Sequence, residues 1–249
     1  FARDAFSGVV LWQRPIAKWH HHLWGLKKGP AQLMRRLVAV DETVYVTLGV
    51  GEPVVALDAA TGETIRTYPG TAGTEEMIVA DGVLFALVNP ELDAYKALET
   101  DSVSAIRGAS GKWKWDEKPR RIVASEATTG MTLWSQERRV APVTLAAAVQ
   151  RLYFHDGDSV VCLQARTGET MWTSKQIPRW KSMHVLFGPT LVVSADVVLF
   201  AGGENRGQDH RPGMNRRAFE RVVVILAMGG GAVDQRGACR VDPGFMAKG

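Results

Sequence analysis

The sequence predicts an all-β protein built from repeated four-stranded antiparallel units. Three observations carry that prediction. A turn motif recurs four times, β-rich runs pair around short turns, and no stretch alternates strand with helix as a parallel sheet would require. The motif is plainest at residues 56–68, ALDAATGETIRTY. The run VVALD that leads into the turn reads as a strand, and ETIRTY reads as its return. Asp58 can accept hydrogen bonds from amides of the turn, and Gly62 can take the positive φ that other residues resist.

The other copies are FARDAFSGVVLW (1–12), VASEATTGMTLW (123–134) and VCLQARTGETMW (161–172). In each the glycine follows Ser or Thr, namely Ser7, Thr61, Thr129 and Thr167. A small residue stands six places before it: Ala2, Ala56, Ala124 and Cys162. Four places after it stands Trp12, Trp134 or Trp172, with Arg66 in the second copy. Recurrence on this scale indicates a repeat architecture. The glycines sit at 8, 62, 130 and 168. The last step suits one unit of roughly 40 residues, and the longer ones require insertions. A fifth match, AIRGASGKWKW with Ala105, Ser110, Gly111 and Trp115, lies too near Gly130 for a full unit and reads as part of an insertion.

Between the motifs, paired β-rich runs fall where a sheet needs them. RRLVAVDETVYVTLG (35–49) turns at DET, and EEMIVADGVLFALV (75–88) turns at Asp81-Gly82. RLYFHDGDSVVCL (151–163) turns at Asp156-Gly157, and TLVVSADVVLFAGG (190–203) repeats the first half of a unit.

The pattern Ala-x-Asp-x-x-Thr-Gly-x-x-x-Trp resembles the blade motif of pyrroloquinoline-quinone-type (PQQ-like) β-propeller repeats. The resemblance covers residues 1–205 and implies an incomplete β-propeller of four to five four-stranded antiparallel blades. The phrases HLWGLKKGPAQLMRRLVAV and EEMIVADGVLFALVN resemble propeller proteins common in planctomycete-type bacteria. The resemblance implies a structural role for Trp12, Trp134 and Trp172, docked between blades against the glycine turn. Arg66 departs from it, so the second copy is expected to dock more weakly.

The resemblance does not by itself imply quinone chemistry. Members that bind the quinone hold it on the propeller axis over a tryptophan, beside a calcium ion bound by carboxylates and an amide, and the alcohol dehydrogenases add an adjacent cysteine pair. This chain has only Cys162 and Cys239. Cys162 occupies the small position of a motif strand and is expected to be a buried core thiol. No cysteine spacing suits c-type haem, and no carboxylate cluster stands out as a calcium site. The expectation is therefore a scaffold or binding protein with no catalytic, cofactor-binding or metal residues. It would contact a protein or an envelope component, as does the outer-membrane assembly lipoprotein of this fold. A quinoprotein oxidoreductase using PQQ and calcium is the alternative. An extracytoplasmic location rests on the resemblance alone.

Length and charge divide the chain. A closed propeller of seven or eight blades needs roughly 300 residues, so 249 residues opening at Phe1 in the end of a blade read as a fragment or open array. No run approaches the roughly 18 apolar residues of a membrane-spanning helix. After FAGGEN the motif does not return. Residues 206–249 hold eight basic and four acidic residues; subtracting these from 30 and 26 leaves 22 of each in residues 1–205. The net charge of +4 thus lies in the tail, which argues against nucleic-acid binding by the blades. The tail reads as a separate region containing one strand within ERVVVILAMGGG (220–231); poorly ordered chain and an out-of-frame repeat are both open readings of the rest.

Three further stretches have residues suited to binding. His20, His21 and His22 are consecutive, so on a strand they point to alternate faces and make a poor metal site. Trp24, Lys27 and Lys28 beside them could line a groove. Residues 89–121 break the β rhythm; 90–106 favour a helix starting near Pro90, with Trp113 and Trp115 as its packing seam or an exposed contact. The segment 175–184 joins two blades and carries Arg179, Trp180, Lys181 and His184, a candidate small-molecule or glycan contact.

Overall fold

The computed structural model describes residues 1–15, 35–49, 51–91, 117–177, 190–194, 197–204 and 221–227. Among these described residues, seventeen strands fall into five antiparallel sheets in chain order. The first sheet pairs β1 (Ala2–Arg3) with β2 (Val10–Trp12). The second runs β3 (Leu37–Val40), β4 (Thr43–Thr47), β5 (Val54–Asp58), β6 (Thr64–Thr67). The third runs β7 (Thr74–Ala80), β8 (Val83–Val88), β9 (Arg120–Glu126), β10 (Thr132–Arg138). The fourth runs β11 (Ala146–Ala148), β12 (Arg151–His155), β13 (Val160–Gln164), β14 (Thr170–Thr173). The fifth runs β15 (Thr190–Ser194), β16 (Val197–Glu204), β17 (Arg221–Ala227).

Each expected pair of runs is present. Asp81 and Gly82 both hold positive φ, 49° and 76°, as a tight hairpin turn requires. The strand expected within 220–231 is β17, paired antiparallel with β16. The rest of the 206–249 tail, and the helix expected over 90–106, lie outside the described residues. One strand had no forecast. β11 is three alanines, joined to β12 by Val149 and Gln150, both at positive φ.

The motif turns behave as the residues dictate. Asp58 Oδ1 accepts from the amides of Ala60 (2.9 Å) and Thr61 (2.8 Å) and from the Thr61 hydroxyl (3.1 Å). The Thr61 amide and hydroxyl bonds hold the Asp58 carboxyl below the ordinary value. Asp4 repeats the arrangement with Phe6 and Ser7, and Gln164 Oε1 does so with Arg166 and Thr167.

The core lies between sheets rather than in a single centre. Trp12 packs with Val46, Val55 and Leu57 between the first and second sheets. Tyr45, Ala56 and Tyr68 meet Met77, Leu84 and Ala86 between the second and third. Phe85, Leu87 and Ile122 meet Leu145, Leu152 and Phe154 between the third and fourth. Tyr153, Val160 and Cys162 meet Leu191, Val198 and Phe200 between the fourth and fifth. Strands of alternating side chains with both faces covered give this layout, and β8 is buried along its whole length.

Candidate functional site

The first strands β3, β7, β11 and β15 lie beside one another in series and form an inner wall. Charged residues gather there. A bulge at Thr74/Glu76 places Glu75 and Glu76 consecutively on β7 and breaks their strict alternation. Glu75 accepts from Arg120 Nε at 2.9 Å and from Asn89 Nδ2 at 2.8 Å. Glu76 Oε1 pairs with Arg35 Nη2 at 2.7 Å and accepts the Leu145 amide at 3.2 Å. Arg35 Nη2 also donates to the carbonyls of Val143 and Leu145, each at 3.1 Å. Three sheets thus meet at one carboxylate: Arg35 precedes β3, Glu76 lies on β7, and residues 143–145 precede β11.

Glu76 is only 3% exposed, and its Oε2 is buried without a hydrogen-bond partner. Burial pushes its carboxyl up to about 7, against the pull of Arg35 and the amides of Leu145 and Val143, while Glu75 adds repulsion. Val143 sits at φ 60°, a strained conformation for a β-branched residue. Just after β10, Arg139 bridges Glu117, ahead of β9, at 3.0 Å and Asp158, in the β12–β13 turn, at 3.5 Å.

This arrangement does not fit a calcium–quinone centre. Glu75 and Asn89 lie side by side, but both Glu75 oxygens are engaged, one by the Asn89 side-chain amide and the other by Arg120. Among the described residues no three of His, Cys, Asp and Glu converge.

The motif residues meet across sheets. Trp12 Nε1 donates to the Ala59 carbonyl at 2.8 Å, and Trp134 Nε1 donates to that of Ala165 at 2.8 Å. Each indole lies against the next glycine. A Cβ on Gly62 would stand 2.5 Å from Trp12 Cδ2, and one on Gly168 would stand 2.8 Å from Trp134 Cδ2. Arg66 takes the same place at Gly130, where a Cβ would meet its Cδ at 2.7 Å. It donates to the Ala127 carbonyl at 3.2 Å, and the Tyr68 hydroxyl donates to the same oxygen at 2.6 Å. The departure at Arg66 therefore comes with a second donor that the sequence pattern did not reveal. Trp172 is half-buried, 6.0 Å from the Tyr153 ring and packed on the cluster shared with the fifth sheet. Cys162 is buried, and burial pushes its thiol up to about 11.

His20, His21, His22, Trp24, Lys27, Lys28, Trp113, Trp115, Arg179, Trp180, Lys181, His184 and Cys239 lie outside the described residues. No helix among the described residues is long and apolar enough to cross a membrane.

A family model described as outer membrane protein assembly factor BamB matches residues 116–213. Among solved structures, BamB from Moraxella catarrhalis is similar over 96% of this chain and 54% of its own, at 18% identity and a TM-score of 0.51. The fold is a β-propeller. Three four-stranded blades and parts of two more are described. The chain spans about half the length of the Moraxella protein. Quinohemoprotein alcohol dehydrogenase from Comamonas testosteroni is similar at 16% identity over 82% of this chain and 35% of its own, with a TM-score of 0.46. Europium-containing methanol dehydrogenase is similar at 12% identity over 90% and 44%, with a TM-score of 0.47. Likeness at that level carries no chemistry. No curated protein matches the sequence.

Proposed function

We propose that this chain is part of a non-catalytic β-propeller scaffold of the PQQ-like repeat type, which contacts proteins or envelope components outside the cytoplasm. The observation that carries the reading is the state of the inner wall. Its two acids are each tied to an arginine: Glu76 to Arg35 and Glu75 to Arg120. Carboxylates held this way support the blades; they do not converge on a reacting centre. The family model's description, an outer membrane assembly factor, supports a partner-binding role and an extracytoplasmic setting. Trp12, Trp134 and Trp172 act in this reading as docking residues between blades.

The test is to mix the protein with calcium and pyrroloquinoline quinone, then record the absorption spectrum and dye-linked alcohol oxidation. No stoichiometric quinone complex and no turnover are expected. A stoichiometric complex with turnover would overturn the scaffold reading in favour of a quinoprotein oxidoreductase.

A further inference from the structure

We infer that the edge of β1 and the uncovered face of the second sheet beside it form a seat for an extended strand of a partner protein, one that carries an aromatic residue opposite Ala2. This seat deepens the scaffold reading, on which it rests, by giving the class of partner segment. The complete sheets share one rule. In each, the small residue of the motif strand lies between an aromatic on the strand before it and the docking residue on the strand after it. The rows are Tyr45–Ala56–Arg66, Phe85–Ala124–Trp134 and Tyr153–Cys162–Trp172. A small centre lets the flanking rings approach across it: Phe85 and Trp134 stand 6.2 Å apart, and Tyr153 and Trp172 stand 6.0 Å apart. In the first sheet Ala2 faces Trp12, and among the described residues β1 pairs with β2 alone. The aromatic of that row has no counterpart among the described residues.

The second sheet shows the same opening from the other side. Leu37 on β3 pairs with Val46, as Met77 on β7 pairs with Ala86 and Leu191 on β15 pairs with Phe200. Met77 is fully buried in a cluster with Tyr45, and Leu191 is buried in a cluster with Tyr153. Leu37 is 64% exposed. Its counterparts are thus covered by the second-strand aromatic of the preceding sheet, the very group that the first sheet does not supply. Trp12 packs on Val46, Val55 and Leu57 and leaves Leu37 open.

These two features define the occupant. The edge of β1 takes a strand through main-chain hydrogen bonds, and the register calls for an aromatic over Ala2, beside Trp12 and above Leu37. In the complete sheets the strand at this place reads TVYVT, VLFALV or RLYFH, so the aromatic has mainly aliphatic neighbours. A two-stranded ribbon is marginally stable alone, so the added strand also steadies β1 and β2.

The probe is a peptide of residues 35–48, RRLVAVDETVYVTL, because its second strand carries Tyr45, which this chain itself lays opposite a motif alanine. Fluorescence anisotropy of the labelled peptide with the full chain should show saturable, equimolar binding. The same peptide with Tyr45→Ala should bind roughly ten-fold more weakly or worse. In the protein, Ala2→Leu fills the place of the aromatic and Leu37→Asp puts a charge beneath it; each should weaken the unaltered peptide as much. Neither position is buried, and circular dichroism checks that both variants keep the fold. Absence of binding overturns the proposal. So does equal binding of the Tyr45→Ala peptide, or binding indifferent to Ala2→Leu and Leu37→Asp, which would place the peptide at another sheet edge. A dimer in sedimentation that both variants dissociate would give the seat to a second copy and overturn it too. None of these outcomes touches quinone binding, so the scaffold reading is decided separately by the quinone test.

Discussion

Burial of Glu76 gives the fold a pH dependence opposite to that of an ordinary ion-paired carboxylate. Its folded value of about 7 lies above the ordinary 4.5, so the folded state holds the proton more tightly. The stabilisation from that proton is fully present below pH 4.5 and is lost as pH rises through 7. The shift corresponds to about 3 kcal/mol. Urea denaturation at pH 5 and pH 8 should therefore show wild type losing about 2–3 kcal/mol more than Glu76→Gln between those values. Equal losses would place the pH dependence elsewhere. This residue was not legible in the sequence. EEMIVA reads as an ordinary strand start, and what makes Glu76 unusual is supplied by residues 35 and 143–145, which only the packing of three sheets brings to it. The motif residues were legible because their work is local: Asp58 and Gly62 complete a turn within five residues of chain.

At the scale of elements, the hairpins marked by Asp-Gly or Thr-Gly could be read directly, and β11 could not. Three alanines carry weak strand preference, and Val149-Gln150 has neither the glycine nor the asparagine that usually marks a turn at positive φ. Tertiary packing supplies the missing specification. The Gln150 amide donates to Asp81 Oδ2 at 2.6 Å, tying this turn to the β7–β8 turn of the preceding sheet. Val149, at φ 51° and 68% exposed, is strained without compensating burial. Val149→Asn should therefore stabilise the protein by about 0.5–1 kcal/mol, read as a shift in the chemical denaturation midpoint. A loss of stability would mean that the valine side chain makes a contact worth more than the strain.

At the scale of the molecule, the account rests on sheets that are specified locally and joined by side chains reaching from one motif to the glycine of the next. The spacing of the motif forecast the repeated sheet, and Trp12 and Trp134 lie against Gly62 and Gly168. Neither indicated that Arg66 and Tyr68 would share the Ala127 carbonyl, because a change at one motif position says nothing of a compensating hydroxyl two residues later. The joint between the first and second sheets isolates the docking interaction, because the nearest atoms to a Cβ on Gly62 all belong to Trp12. A double-mutant cycle on this pair measures the joint. Gly62→Ala in the wild type meets both a positive φ of 73° and the indole, and should cost about 2–4 kcal/mol. In the Trp12→Ala background only the backbone strain remains, and the same substitution should cost about 1 kcal/mol. Gly8→Ala, at φ 70° with nothing within 4 Å of the added Cβ, should match that smaller value. An equal cost of Gly62→Ala with and without Trp12 would contradict the claim that the indole is seated on the glycine and joins the two sheets.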